Sequence, residues 1–168
     1  MTTDVDYTKY WGLQTLPFDN VPDPRFYVSC TQHDTAYQWL SYGIQTRKGM
    51  LLLTGDIGCG KTLLSRRLIG GLSPVQYDIA LVANPALSPS ELLDEVLSQF
   101  GLDPVRSKAG RLQQLNERLQ LNAQRGISSV LIVDDAQAIE RVKGFEELRL
   151  LTNFQLNDRF LLTVVLIG

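Results

Sequence analysis

A chain of 168 residues, 44% hydrophobic and 20% charged, has the composition of an ordinary globular protein and is long enough to bury one core. Its formal net charge of −2 argues against a protein that binds a polyanion over its whole surface, although a local basic face is compatible with it. The sequence shows no signal peptide and no apolar run of membrane-spanning length, and its two cysteines make no disulfide framework, which favours a reducing compartment.

The chain divides into an N-terminal arm and a region in which strands alternate with helices. Residues 1–30 are rich in Pro, Asp and aromatic side chains, which predicts an irregular arm packed on the core, and residues 31–168 are predicted to form one core domain. The predicted elements are a helix over 31–47, a strand over 50–53, a helix over 62–70, a strand over 77–83, helices over 90–100 and 109–126, a strand over 130–133, a helix over 144–155 and a strand over 160–167. This alternation predicts an α/β fold with a mostly parallel sheet flanked by helices.

Several local expectations follow from the same pattern. The run MLLL at 50–53 is apolar on both sides, which predicts a central strand. Thr31 is predicted to cap the first helix of the core, and Trp11 and Trp39 are predicted to lie in the core.

A glycine-rich stretch, GDIGCGKT at 55–62, stands between the predicted strand over 50–53 and the helix that follows. It matches the phosphate-binding pattern G-x-x-x-x-G-K-[ST], in which glycines let backbone amides turn toward an anion at a helix N-terminus. Lys61 would bridge the β- and γ-phosphates and act in catalysis, and the Thr62 hydroxyl would bind Mg²⁺. The predicted nucleotide-binding residues are Gly55, Asp56, Ile57, Gly58, Cys59, Gly60, Lys61, Thr62 and Leu63. The alternative is a glycine-rich turn with an incidental lysine, and the flanking strand and helix favour the phosphate loop.

A pair of carboxylates, Asp134 and Asp135, ends the apolar strand over 130–133. Ligands of open α/β sheets bind at the carboxyl ends of the strands, so Asp134 is predicted to hold the metal through water. Asp135 is predicted to be the catalytic base or the residue that positions the attacking water. A solvated acidic turn is the alternative, and the glycine loop upstream favours the metal site.

The order of these motifs resembles the type II secretion assembly ATPases, the family of general secretion pathway protein A. The resemblance spans about residues 7–168 and is carried by the segments YWGLQTLPF (10–18), PDPRF (22–26), NPALSPSELL (84–93), LIVDDAQ (131–137) and LRLLTNF (148–154). It implies a P-loop NTPase of the AAA+ type that binds ATP or ADP with Mg²⁺ and hydrolyses ATP. It also implies self-association into a ring in the full-length protein and a partner in secretion or envelope assembly.

The resemblance further implies a cytoplasmic module, in a full-length protein that is often anchored in the inner membrane. Two departures from the family lower the expected turnover. Asp135 replaces the usual Glu, and the chain stops before the first sensor residue and the helical lid. We therefore expect a fragment of a longer protein that retains ATP binding and hydrolyses ATP weakly.

Two other functions are compatible with the sequence. One is an ATP-dependent DNA-binding regulator of the transposition type, which the net charge and the N-terminal arm disfavour without excluding it. The other is a nucleotide-gated adaptor with little turnover. Further candidate residues are His33, as a nucleotide contact or a helix cap, Leu16, Pro17 and Phe18, as an adenine wall or simple packing, and Arg149 and Arg159, as contacts to a neighbour's γ-phosphate.

Overall fold

The architecture is a parallel sheet with helices on both faces, as the alternation of elements predicted. The structure, a computed structural model, describes residues 7–16, 22–139 and 141–168. All neighbouring strands pair in parallel, in the order β1-β4-β3-β2. The strands are β1 (Met50–Leu53), β2 (Tyr77–Val82), β3 (Ser128–Val133) and β4 (Leu162–Ile167).

Six α-helices and two 3₁₀ turns are found in these ranges. The helices are α1 (Tyr7–Trp11), α2 (Thr31–Gln45), α3 (Lys61–Gly71), α4 (Pro89–Gln99), α5 (Lys108–Gln124) and α6 (Arg141–Leu151), and the turns cover Pro24–Phe26 and Ala136–Ala138. Within the described ranges, the helices are too short or too polar to cross a bilayer.

The two central strands bury both of their faces. Because successive side chains of a strand point to opposite sides, Val130 and Ile132 of β3 pack on the side of α2 and α3. Leu131 and Val133 pack on the side of α4, α5 and α6. Every residue of β4 is buried as well. The sheet is therefore a middle layer, with one apolar cluster on each face.

The prediction that residues 50–53 form a central strand was wrong. The strand has the predicted bounds, but β1 lies at the edge of the sheet, and Met50 and Leu52 are 41% and 66% exposed. The last strand in sequence, β4, pairs with β1 on one side and β3 on the other. Strand order depends on such distant pairings, so the apolar run alone did not reveal it.

The predicted burial of the two tryptophans was also wrong. Trp11 and Trp39 are 70% and 68% exposed. The buried face of α2 consists of Leu40, Gly43 and Ile44, and Trp39 lies off that face, edge-on to Tyr42. Leu40 and Ile44 are the α2 side chains that belong to the apolar cluster on this side of the sheet.

One predicted helix cap and the bounds of one predicted helix were wrong. Thr31 is the first residue of α2, and the N-cap position is Cys30, whose side chain makes no capping hydrogen bond. The helix predicted over 144–155 instead covers Arg141–Leu151. Gly144 was the predicted first residue. It lies inside the helix, where a Cβ atom would collide with Ile139, so its small size permits close packing.

An arginine on α3 ties together three segments. The Arg67 guanidinium carbon lies 4.0 Å from the ring centre of Tyr27 and 4.6 Å from that of Tyr37, and Nη1 donates to Asp34 at 3.0 Å. Hydrogen bonds from Ser29 and Arg67 hold the pKa of Asp34 below its usual 3.8. The first half of α2, the middle of α3 and the segment that contains Tyr27 are therefore joined.

Replacing Ser88 with alanine is expected to destabilise the fold by about 1 kcal/mol, because it removes the N-cap of α4. The Ser88 hydroxyl accepts from the Glu91 amide, and the Glu91 carboxylate accepts from the Ser88 amide. Urea unfolding would measure the loss, with Ser98→Ala near the other end of α4 as the control. A loss equal to that of the control would contradict the prediction.

The same capping box gives the effect a pH dependence. Hydrogen bonds from the Ser88 side chain and amide hold the pKa of Glu91 below 4.5. A carboxyl whose folded pKa is depressed stabilises the fold above its unfolded pKa, and this stabilisation disappears as the pH falls through the folded pKa. The difference between wild type and Ser88→Ala should therefore shrink below pH 4.5.

Candidate functional site

The predicted site residues gather at the carboxyl edge of the sheet. The glycine loop follows β1, and Asp134 and Asp135 follow β3. The start of the loop is fixed to the end of β4, because Gly55 N donates to Gly168 O at 3.2 Å and Gly168 N donates to Leu53 O at 2.9 Å. All the strands run in parallel, so their carboxyl ends form one edge, where open α/β sheets bind ligands.

The glycine loop has the backbone shape that an anion site needs at its end. Gly58 and Gly60 have φ angles of +81° and +83°, and Gly60 is the N-cap of α3. Gly60 thus needs to be a glycine because of its left-handed φ angle. Gly55 has no left-handed φ angle; there a Cβ atom would lie 2.8 Å from the Cys59 sulfur, so glycine is needed for space. The first amides of α3 have no intrahelical acceptor and remain available to an anion.

Lys61 lies across the loop. Its ammonium group donates to the carbonyl oxygens of Gly55 at 2.7 Å and Asp56 at 3.1 Å. Both acceptors are neutral, and a phosphate oxygen in their place would make a stronger, charge-assisted bond. The Lys61 ammonium group therefore lies close enough to the loop to bind an anion there.

The other predicted nucleotide-binding residues differ in exposure. Asp56, Ile57 and Cys59 are exposed, and Ile57 projects fully into solvent. Thr62 and Leu63 are half-buried in the first turn of α3. The roles predicted for these side chains remain predictions.

A cavity of about 300 Å³ opens between the glycine loop and the start of α2. Its volume is at the lower end of the range of small-molecule sites. Leu16 lies outside its lining, and Pro17 and Phe18 fall outside the described residues. On the α2 side of the lining, His33 was singled out from the sequence, and Gln32 and Ala36 were not. The lining consists of Gln32, His33 and Ala36 from α2, Leu53 and Thr54 before the loop, Gly55, Asp56, Cys59 and Gly60 from the loop, and Lys61 and Leu64 from α3.

Asp134 is buried beside α3. It is 6% exposed, its Oδ1 accepts from the Asp135 amide at 3.0 Å, and its Oδ2 lies 3.5 Å from the Ser65 hydroxyl. The Ser65 hydroxyl also donates to Thr62 O at 2.9 Å. Ser65 thus links the carboxylate to the helical turn that carries Thr62, across the strand β4 that separates β1 from β3. The sequence did not reveal the contact between Ser65 and Asp134, because the two residues are 69 positions apart.

Asp135 adopts a backbone conformation that is uncommon for a residue with a side chain. Its φ and ψ are 51° and 40°, in the left-handed region, where Asp occurs more often than most residues. The carboxylate is exposed, and Oδ1 accepts from Gln137 Nε2 at 3.1 Å. Gln137 was visible in the segment LIVDDAQ, but nothing in the sequence indicated that it would bind Asp135.

The remaining charged candidates bond locally. Arg149 donates twice to Glu146 at 2.7 Å, which raises the pKa of Arg149, and Arg159 lies 3.7 Å from Asp158.

His33 does not cap α2; its Nε2 donates to Cys59 O at 2.8 Å.

The donor set fits a magnesium–nucleotide complex. A carboxylate and a hydroxyl are oxygen ligands of the kind that Mg²⁺ prefers, and Asp134 and Thr62 supply them near one helical turn. A helix N-terminus with free amides and an adjacent ammonium group suits the phosphates.

Comparisons with known proteins agree with this geometry. Residues 44–168 match the family model described as AAA domain. The chain is 39% identical over 166 residues to general secretion pathway protein A of Aeromonas hydrophila, covering 96% of this chain and 30% of that protein.

Solved structures give the same fold. A structure of Drosophila ORC bound to DNA superposes with a TM-score of 0.65 at 19% identity, over 88% of this chain and 40% of that one. The Aeropyrum pernix ORC2 protein, in ADPNP–ADP complexes, gives 0.60 at 15% identity, over 82% and 40%. The chain thus spans less than half the length of each of these three proteins.

Proposed function

The chain belongs to the AAA domain family, and from that premise we propose that it binds ATP with Mg²⁺ and hydrolyses it as the ATPase module of a longer general secretion pathway assembly protein. The observation that carries the proposal is the glycine loop between β1 and α3, with Lys61 lying across it. The buried carboxylate of Asp134, at the same edge of the sheet, supports a metal at the phosphates.

In this proposal the loop binds the phosphates through its backbone and one side chain. Residues 55–63 surround the phosphates, and the amides at the start of α3 donate to their oxygens. Lys61 exchanges its bonds to the Gly55 and Asp56 carbonyls for bonds to phosphate oxygens. The α2 side of the cavity, at Gln32 and Ala36, receives the nucleoside.

Hydrolysis depends on the two aspartates at the end of β3. The Thr62 hydroxyl and the Asp134 carboxylate would hold Mg²⁺, which would neutralise charge on the phosphate oxygens. Asp135 orients the attacking water and accepts its proton. Gln137 Nε2 donates to Oδ1 of this carboxylate at 3.1 Å, and a carboxylate with two acceptor oxygens can bind a water at the same time. Slow turnover follows from the short side chain.

We expect Asp135→Glu to hydrolyse ATP about tenfold faster than wild type in a single turnover, because a longer carboxylate reaches the water more easily. The measurement is the rate of phosphate release with enzyme in excess. Asp135→Asn is the matched control, with the same length and no base, and should be slower than wild type. An unchanged or lower rate in Asp135→Glu would count against the role of this residue.

The biological setting of the proposal rests on the general secretion pathway relative. We propose a cytoplasmic module that self-associates within a longer, membrane-anchored protein and drives assembly of an envelope partner. A DNA-dependent ATPase and a nucleotide-gated adaptor are the competing functions.

The test is equilibrium binding and turnover on the purified chain. We expect ATP and ADP to bind, with Mg²⁺ raising the affinity for ATP, and slow hydrolysis that duplex DNA does not change. Stimulation by DNA would favour the regulator, and binding without turnover would favour the adaptor. A chain that binds neither nucleotide at millimolar concentration would refute the proposal.

A further inference from the structure

His33 makes a contact that sequence analysis did not anticipate. It lies in the first turn of α2, and its Nε2 is 2.8 Å from the carbonyl oxygen of Cys59, in the glycine loop. A carbonyl oxygen can only accept a hydrogen bond, so the His33 ring carries a proton on Nε2 and donates it. The ring also packs against Gly60, because a Cβ atom at Gly60 would lie 3.4 Å from His33 Cε1.

This bond fixes the direction of one peptide group. The Cys59–Gly60 peptide is trans, so the Cys59 carbonyl and the Gly60 amide point in opposite directions. While His33 holds the carbonyl, the Gly60 amide is turned away from the ring and its hydrogen stays available to an anion. A peptide rotated the other way would present a carbonyl oxygen to the phosphates and repel them.

The support for His33 does not come from the loop itself. Asp34, the next residue of α2, accepts from Ser29, Tyr27 and Arg67, and Arg67 belongs to α3. The start of α2 is thereby tied to the body of α3. The glycine loop, in which Gly60 has a left-handed φ of +83°, is therefore bonded to His33, a residue of another element. The Asp34–Arg67 bond fixes the start of α2, which carries His33.

We infer that His33 is a positioning residue for phosphate binding: its Nε2–H holds the Cys59 carbonyl and keeps the Cys59–Gly60 amide in the orientation that receives an anion. The inference rests on the proposed function, since it concerns the phosphates of a bound nucleotide. It assigns His33 no contact with the base. Substitution of His33 should therefore lower the affinity for a ligand that carries phosphates and leave the affinity for the nucleoside unchanged.

The experiment compares three proteins and two ligands. His33→Phe keeps a ring without the donor, and His33→Gln keeps an N–H donor at a similar reach. Affinities for ADP, by calorimetry, and for adenosine, by ligand-observed NMR, are measured on the whole chain, with thermal melting as the check on folding. We expect His33→Phe to bind ADP about tenfold more weakly, the loss of one hydrogen bond, and His33→Gln to recover most of it. Adenosine affinity should be the same in all three proteins.

Several results would overturn the inference. Equal ADP affinity in wild type and His33→Phe would show that the bond does not matter. Equal losses in His33→Phe and His33→Gln, or a matching loss for adenosine, would show that His33 acts through packing or on the nucleoside. If His33→Phe does not fold, His33→Ala at this half-buried position replaces it with the same expectation. A wild-type chain that does not bind ADP would refute the proposed function itself, an outcome distinct from all of these.

Discussion

Lys61→Ala is expected to weaken binding of ATP and ADP on the order of 100-fold, because two charge-assisted hydrogen bonds to phosphate are lost. Among the residues that the structure describes, the ammonium group bonds to the neutral carbonyls of Gly55 and Asp56. A nucleotide would replace both acceptors with charged oxygens. The hydrogen bonds of Lys61 are therefore stronger in the nucleotide-bound state than in the free state. Removing it should leave the fold intact, because these two bonds lie on the surface of the loop.

Calorimetric titration with ADP, with and without Mg²⁺, would measure the effect. Lys48→Ala is the matched control, since Lys48 is an exposed lysine that precedes β1, whereas Lys61 lies beyond its other end. We expect the control to bind as wild type does. A loss of less than about threefold in Lys61→Ala would mean that the phosphates lie elsewhere, since even one hydrogen bond to a charged group is worth more than that.

Asp134→Asn is expected to lower the rate of ATP hydrolysis on the order of 100-fold, the scale of losing one electrostatic group at a phosphoryl site. The carboxylate is buried and accepts from the Asp135 amide and lies near the Ser65 hydroxyl. Asparagine keeps the shape and one acceptor oxygen but removes the charge that a divalent cation needs. ATP affinity should therefore lose its dependence on Mg²⁺, while ADP affinity in EDTA stays close to that of wild type.

The measurements are multiple-turnover rates and ATP titrations at several Mg²⁺ concentrations. Asp103→Asn, in the exposed segment between α4 and α5, is the control for loss of one negative charge. If Asp134→Asn retained both the wild-type rate and the wild-type Mg²⁺ dependence, the metal would have to be held by other residues.

Local patterns in the sequence predicted the elements that surround the site. The apolar runs before the glycine loop and before Asp134 are strands, and the residues after Gly60 are a helix, because each of these assignments depends on neighbours in sequence. The fold class followed from their alternation and is confirmed by the parallel sheet and the AAA domain match.

What the sequence did not predict depends on contacts between distant residues. The edge position of β1 results from pairing with β4, the last strand of the chain. The hydrogen bond from His33 to Cys59 joins residues 26 positions apart, and the approach of Ser65 to Asp134 joins residues 69 apart. Composition and periodicity carry no information on such pairs, because they report the environment of a residue and not the identity of its partner.

The left-handed backbone at Asp135 favours aspartate over glutamate at this position. Aspartate tolerates a φ of +51° better than glutamate, because its short side chain can bond to nearby backbone groups. A glutamate there should cleave nucleotide faster and yet melt at a lower temperature, since it must keep a conformation that suits it poorly. The backbone conformation at this position therefore favours the shorter of the two acids.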